Sequence, residues 1–261
     1  MRLSGLLVSL GLLAGCSTHP ITGRDQILAL PAIQSVYSDV SFALSSGAAL
    51  NGASPACGQD CGSPQELAQF AGRVAAIGTR LEASARDLAP DLFVRIEKFQ
   101  IEVSDDLGAG TGSSAGGRIV LGTGLAGLEP ADSVIAFLVA REMAHVIARH
   151  AEENSGASMV FSALGMLLPG FNFIARFIAS RLGSSALTGS WAAQQQREAD
   201  EIALALLERT GLPARSVALG LESGINRTRL PANEWGARYL ESAQRVAAIA
   251  ASPPRYAVID D

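Results

Sequence analysis

The chain has 261 residues, 48% of them hydrophobic and 17% charged. It is therefore long and apolar enough to fold around a core as one large domain or two small ones, which excludes a disordered or solvating protein. The net charge of -5 and the 5% aromatic content exclude the basic surface and the stacking platform that nucleic-acid binders use.

Residues 1–15 read as a secretory signal: Arg2 supplies a positive charge and Leu6 to Leu13 an apolar run. The run is too short for a stable membrane span. Leu12-Leu13-Ala14-Gly15-Cys16 resembles the bacterial lipobox, whose cysteine is lipidated and becomes the mature N-terminus. A buried cysteine beside an ordinary signal is the alternative. Ser17 rather than aspartate after it resembles the Gram-negative sorting pattern for the outer membrane, facing the periplasm. Lipidation anchors a protein without making it span the bilayer. Residues 16–30, with His19, Pro20 and Gly23, read as a polar tether.

Helical spacing follows over about 31–44, then a Gly/Ser/Pro-rich loop with Cys57 and Cys61. In an exported chain a pair this close reads as a small disulfide-closed loop, with two free thiols as the alternative. A zinc ribbon needs a second pair. Ser63-Pro64-Gln65-Glu66 is a helix start, with a serine cap, proline at the first helical position and glutamate three residues after the cap. The spacing predicts a helix to Ala89, before Pro90. Residues 93–103 alternate and predict a strand. Residues 108–117 read as a loop, and 118–121 as a second strand. A glycine-rich loop before a strand is not a phosphate cradle.

Residues 132–153 form the most apolar predicted helix, with no polar face over most of its length. Such a helix is buried on all sides, so Arg141, Glu142 and His145 are expected to be buried with it. Buried charge needs partners, which makes this helix the place to look for function. Residues 159–178 are again apolar but interrupted by Pro169, Gly170, Asn172 and Arg176. They read as two short helices on the core or as a lid, with a membrane-associated segment as the alternative. A helix over about 190–209 ends at Gly211 with Pro213 beyond. Two more helices are predicted near 213–223 and 233–250, followed by a Pro-rich tail.

In His-Glu-x-x-His zinc peptidases, two histidines at i and i+4 share one helix face, and the glutamate activates a zinc-bound water. Arg141-Glu142-Met143-Ala144-His145 has that shape, with arginine at the first ligand position. The chain resembles the HtpX- and Oma-like family of zinc metalloendopeptidases, in its bacterial lipoprotein branch. Four stretches carry the resemblance, in the family's order. They are Pro20-Ile21-Thr22-Gly23-Arg24-Asp25-Gln26, then 116–125 from Gly116-Gly117-Arg118, then Arg141 to His150, and finally Gln196-Arg197-Glu198-Ala199-Asp200 with the helix that follows. The resemblance implies an α+β, mainly helical, zincin-like peptidase domain with a buried motif helix and a small β-sheet. It divides the chain into a signal peptide (1–15), a lipidated tether (16–30), a single peptidase-like domain (31–250) and a tail (251–261).

The same resemblance assigns Glu142 to the general-base position, His145 to a retained zinc ligand and Asp200 to a supporting position. Counting back from Asp200 puts Gln196, not Glu198, at the third-ligand position. Two of the three ligand positions are thus changed, to Arg141 and Gln196. The family's Asn-Ala-Phe stretch reads Gly108-Ala109-Gly110-Thr111, and the chain has no His-Pro element near its C-terminus.

The three histidines are His19, His145 and His150. The last two are five apart, about 140° around a continuous helix, and are not expected to share an ion. A guanidinium cannot coordinate. At about 4 Å from a divalent ion it repels it by roughly 8 kcal/mol at an effective dielectric near 20. A set of His145, Glu142 and Glu198 could hold zinc only by removing Glu142 as base. The expectation is a pseudopeptidase without a cofactor, in which Arg141 replaces the metal's charge and pairs with Glu142, Glu198 or Asp200. Such a protein would bind periplasmic or outer-membrane protein segments in the former substrate cleft, with strand 118–121 as the edge an extended peptide joins. The alternatives are an active zinc metalloendopeptidase of envelope quality control and a structural lipoprotein. The partners implied are proteins or peptides and, through the lipid, a membrane; no nucleic acid is expected.

Overall fold

The computed structural model describes residues 15–28, 63–155, 192–227 and 234–251. The expected signal peptide, the helix over 31–44, Cys57 and Cys61, the apolar stretch 159–178 and the tail beyond 251 lie outside these residues. Among the described residues no helix is long and apolar enough to cross a membrane.

Chemistry at its first turn starts the longest helix. Ser63 accepts from the Glu66 backbone N–H while the Glu66 carboxylate accepts from the Ser63 N–H, a reciprocal cap with Pro64 at the first position. Helix α1 then runs Pro64–Leu88, as predicted, and buries Phe70, Val74, Ile77, Leu81 and Ala85 at steps of three and four. The predicted strand over 93–103 is corrected at its front. Leu92–Arg95 is a short helix, α2, and the strand is confined to Gln100–Ser104 (β3). The buried residues there are Leu92, Ile96 and Phe99. Their steps of four and three put them on one side of a turn rather than one face of a strand. The Phe93 ring stacks edge-on against Phe99 at 5.7 Å and lies under the Arg86 guanidinium.

The predicted loop over 108–117 contains a short strand, β4 (Thr111–Ser113), before β5 (Arg118–Gly122). The sheet order is β3-β5-β4, with β3 parallel and β4 antiparallel to β5. Strand 118–121 is therefore not the edge but the centre. Its fully apolar run Ile119-Val120-Leu121 is buried, as suits a strand covered on both faces. Among the described residues the edges are β3 and β4.

Helix α3 (Asp132–Ile147) carries the motif and has thirteen buried residues. It packs against α1 and against α6 (Ala214–Arg227), which in turn packs on α7 (Glu234–Ala250). Helix α5, over 192–209, contributes Ile202, Leu206 and Leu207 to the same core and ends before Gly211, whose φ of 80° suits glycine alone. The fold is thus α+β and mainly helical, as the sequence implied. The predicted reach of the motif helix to 153 is corrected. It stops at Ile147, Arg149 turns the backbone at φ 59°, and α4 begins at 150 and is described to 155.

The expected tether is also folded in part. Gly15–Thr18 (β1) and Asp25–Leu28 (β2) form an antiparallel hairpin, with Cys16 opposite Ile27. His19 and Gln26 are buried. Their partners, described below, lie more than a hundred residues away, so local sequence read only polarity.

Gly122 closes the sheet against the turn before β4. A Cβ there would be driven into the carbonyl oxygen of Gly108, whose neighbourhood is fixed by the bonds Gly122 N–H to Gly110 O and Gly124 N–H to Gly108 O. Gly122→Ala is expected to destabilise the fold by about 1–3 kcal/mol, measured as a lower urea midpoint. Gly124→Ala, whose nearest approach is 3.0 Å, is expected to cost less.

Candidate functional site

Residues four apart on a helix share a face. Arg141 and His145 therefore look the same way from α3, with Glu142 about a third of a turn round. On α5, Gln196 and Asp200 share one face, while Glu198 points away from both. That periodicity sorts the site into three clusters around one cleft. The cleft has a volume of about 230 Å³, and its walls include Thr111, Arg141, Glu142, His145, His150 and Gln196.

The first cluster joins the two positions at which ligands were expected. The Arg141 guanidinium donates to the Gln196 side-chain oxygen and, at 2.9 Å, to Asp200 Oδ1. Asp200 is fully buried and takes a second guanidinium from α7, Arg245 Nε at 2.7 Å. Of the three partners foreseen for Arg141, it is Asp200 that the structure supplies.

The second cluster holds Glu142. Thr111 Oγ1 donates to one carboxylate oxygen at 2.7 Å and Ser113 Oγ to the other at 2.8 Å. Both hydroxyls come from the edge strand β4. Their alternation places them on one face of the strand, toward α3.

The third cluster was not foreseen. The chain reversal at Arg149 brings His150 back onto His145, with the two Nδ1 atoms 2.8 Å apart and the rings edge to face at 4.9 Å. The 140° separation counted for a continuous helix does not apply across this reversal. In that contact one Nδ1 donates and the other accepts. His150 Nε2 lies 3.0 Å from Glu198 Oε2. Glu198 also accepts from Thr22 Oγ1 and Arg24 Nε, and Arg24 forks onto both oxygens of Glu153 at 3.0 and 2.8 Å. Gln195 donates to Glu153 from α5.

The hairpin loop also completes the end of α3. His19 Nε2 donates to Ile147 O at 3.2 Å, and Gln26 Nε2 donates to Ala148 O. These are carbonyls that a helix end leaves without partners. Burial holds the His19 imidazole below its usual pKa. A neutral ring fits its contacts, since Nε2 donates while Nδ1 accepts from the Thr22 N–H at 3.3 Å. Burial alone would push the Glu198 carboxyl up. The hydrogen bonds from His150, Thr22 and Arg24 outweigh it and hold Glu198 down at about 2.

Sequence reasoning singled out Arg141, Glu142, His145, Gln196, Glu198 and Asp200; the first four line the cleft, while Asp200 and Glu198 lie behind it, bonded to Arg141 and His150. It missed Thr111, Ser113, His150, Arg245 and the inward role of His19, Thr22 and Arg24. The 20–26 stretch had been noticed only as a pattern, Thr111 only as the end of a stretch that departs from the family's, and Ser113 only as part of a Gly/Ser-rich loop. Cys16 lies in β1, away from the six.

A buried helix that presents a glutamate and a histidine to a cleft, faced by a second helix and a small mixed sheet, defines an α+β peptidase domain. The family model of peptidase family M48 matches residues 77–250, and the chain belongs to that family. No curated protein and no solved structure matches it. The family's metallopeptidases use a metal, and the side chains of the described residues do not fit one. Among the described residues no group of three His, Cys, Asp or Glu is placed to hold a metal ion. The guanidinium of Arg141, which cannot coordinate, is joined instead to Gln196 and Asp200.

Two predictions follow the charges. Asp200→Asn leaves two guanidiniums without their shared carboxylate and is expected to cost about 3–5 kcal/mol in chemical unfolding. Glu198 is depressed from 4.5 to about 2, so its stabilisation is present above its unfolded pKa and is lost as pH falls toward the folded one. The shift corresponds to roughly 3 kcal/mol at neutral pH. Glu198→Gln is expected to lower stability by about that amount at pH 7, the gap from the parent closing between about pH 5 and 2.

Proposed function

We propose that this protein is an envelope lipoprotein of the HtpX- and Oma-like branch of family M48, a pseudopeptidase that holds protein segments in the former substrate cleft. The observation that carries this reading is the contact between Arg141 and Gln196. The two positions expected to supply ligands bond to each other, and Asp200 balances the guanidinium. The cation that joins the motif helix to the third-ligand helix is then a side chain.

Glu142 is tied into the fold beside that contact. Both of its oxygens accept from Thr111 and Ser113, which ties the edge strand to the motif helix. A cleft of about 230 Å³ lies beside them, and among the described residues β4 is an edge of the sheet, which an extended segment could join. The outer-membrane location and the lipid on Cys16 rest on the lipobox and on Ser17.

The test is zinc per chain by elemental mass spectrometry, on protein purified without a histidine tag and given excess zinc. The parent is expected to hold far less than one zinc per chain. The double variant Arg141→His with Gln196→Glu is expected to gain zinc. Near-stoichiometric zinc in the parent, with cleavage of an unfolded substrate, would establish the active metalloendopeptidase instead. A double variant that folds but binds zinc no better than the parent would remove Arg141 and Gln196 as the cause.

A further inference from the structure

The guanidinium of Arg141 is flat and carries five N–H groups. Its side edge, Nε with Nη2, is spent on α5: Nε donates to Asp200 Oδ1 at 2.9 Å and Nη2 donates to Gln196. The end edge, Nη1 with the second hydrogen of Nη2, has no acceptor among the described residues. Nor is Nη1 sealed from solvent. Arg141 keeps 9% of its surface and forms part of the cleft wall, so its remaining exposure opens there.

A second donor of the same wall is also unspent. Ser242, on α7, is buried and lines the cleft. Its Oγ accepts from Arg245 Nη2 at 2.9 Å, which leaves its own O–H to donate. That hydrogen has no acceptor among the described residues. Arg245 in turn donates to Asp200 Oδ2. Both unspent donors are thus tied to one buried carboxylate, Arg141 directly and Ser242 through Arg245.

Charge points the same way. Asp200 is one negative charge shared between two guanidiniums, and Gln196 is neutral. Glu241 approaches Arg245 only to 3.7 Å and is two-thirds exposed, so water weakens its share. Arg141 therefore keeps unmet positive charge on its cleft side. Buried donors and charge without partners are costly, and a planar group with two oxygens fits the end edge of a guanidinium. Glu142, the next residue, limits what that group is. It also lines the cleft, with both oxygens held by Thr111 and Ser113. Its charge repels a dianion more than a monoanion, which favours a carboxylate over a phosphate. The cleft volume of about 230 Å³ is below the roughly 300–1,000 Å³ of ordinary ligand pockets. It suits one side chain or one chain end.

We propose that Arg141 and Ser242 form a carboxylate-binding site, through which the cleft selects polypeptide segments that carry an acidic side chain or a free chain end. The proposal rests on the reading of the cleft as metal-free and segment-holding. The end edge of Arg141 takes both oxygens, and the Ser242 hydroxyl donates to one of them. The residue that stands at an expected metal-ligand position is then the recognition group itself.

The test is isothermal titration calorimetry on the full chain in detergent, with a chelator present. Four blocked tripeptides are the probes: acetyl-alanyl-aspartyl-alanine amide, its asparaginyl counterpart, acetyl-trialanine with a free carboxylate, and the amide of that peptide. At least one acid is expected to bind about tenfold more tightly than its neutral counterpart, and which one does so names the source of the carboxylate. Inorganic phosphate is expected to bind more weakly than acetate. Arg141→Lys keeps a charge but loses the fork, and is expected to remove most of the acid preference. Ser242→Ala is expected to reduce it several-fold. Glu142→Gln is expected to tighten the acids several-fold and leave the neutral peptides unchanged. A merely structural change would not give that gain, and it keeps the test decisive should Arg141→Lys fail to fold. Equal binding of acids and neutral peptides would overturn the proposal and leave the segment-holding cleft standing. Phosphate binding as tightly as acetate would overturn the carboxylate assignment. An acid preference unchanged in Arg141→Lys and Glu142→Gln would place the anion elsewhere and overturn the site. Binding of none of the four peptides would overturn both readings of the cleft. An acid preference that appears only when zinc replaces the chelator would put the carboxylate on a metal, and overturn this proposal together with the metal-free reading.

Discussion

Two carboxylates buried on one turn of α5 organise this molecule. Asp200 and Glu198 are two residues apart on a helix and face different directions, and each is almost without solvent. Neither can stay charged there without a partner. Asp200 draws Arg141 from the motif helix and Arg245 from α7. Glu198 draws Arg24 from the hairpin and His150 from the segment after the motif helix. Four pieces of chain distant in sequence are thus tied to one helix by polar contacts, on top of the apolar contacts that bury α3.

That arrangement explains why the site keeps its shape with an arginine at its centre. A divalent cation holds helices together by attracting anions, and a guanidinium can do the same in a flatter geometry through its fork of N–H donors. Arg141 reaches an amide and a carboxylate four residues apart, which matches the spacing of one helix face. The neutral amide of Gln196 leaves Arg141 and Asp200 to balance each other, with Arg245 sharing the load at the rim.

The reversal after Ile147 is the other decisive feature. A non-glycine residue with φ near 59° is unfavourable by about 1–2 kcal/mol, and here it is offset by what it brings together. Arg149 turns the chain so that His150 meets His145 and Glu198, and the exposed carbonyls of the helix end find His19 and Gln26. The hairpin therefore fits only because the helix stops where it does.

Local chemistry made much of this legible in the sequence. The cap at Ser63 and Pro64, the three-and-four spacing of α1, the unbroken apolar run of α3 and the glycine beyond α5 are short-range signals; they placed the start of each helix and the ends of α1 and α5, but not the end of α3 at Ile147. The motif residues were legible because four stretches resemble a known family in its order; the spacing of Glu142 and His145 alone has many incidental readings. Decisions at long range were not legible. Whether 118–121 is edge or centre depends on which strand finds its other side. Whether His145 and His150 meet depends on one backbone angle at Arg149. Whether Arg24 is a tether residue or the counter-ion of Glu198 depends on a partner 174 positions away. Sequence fixes which groups will need a partner once buried; only the packed chain decides which partner each one gets, because that choice is made in space and periodicity carries information along the chain alone.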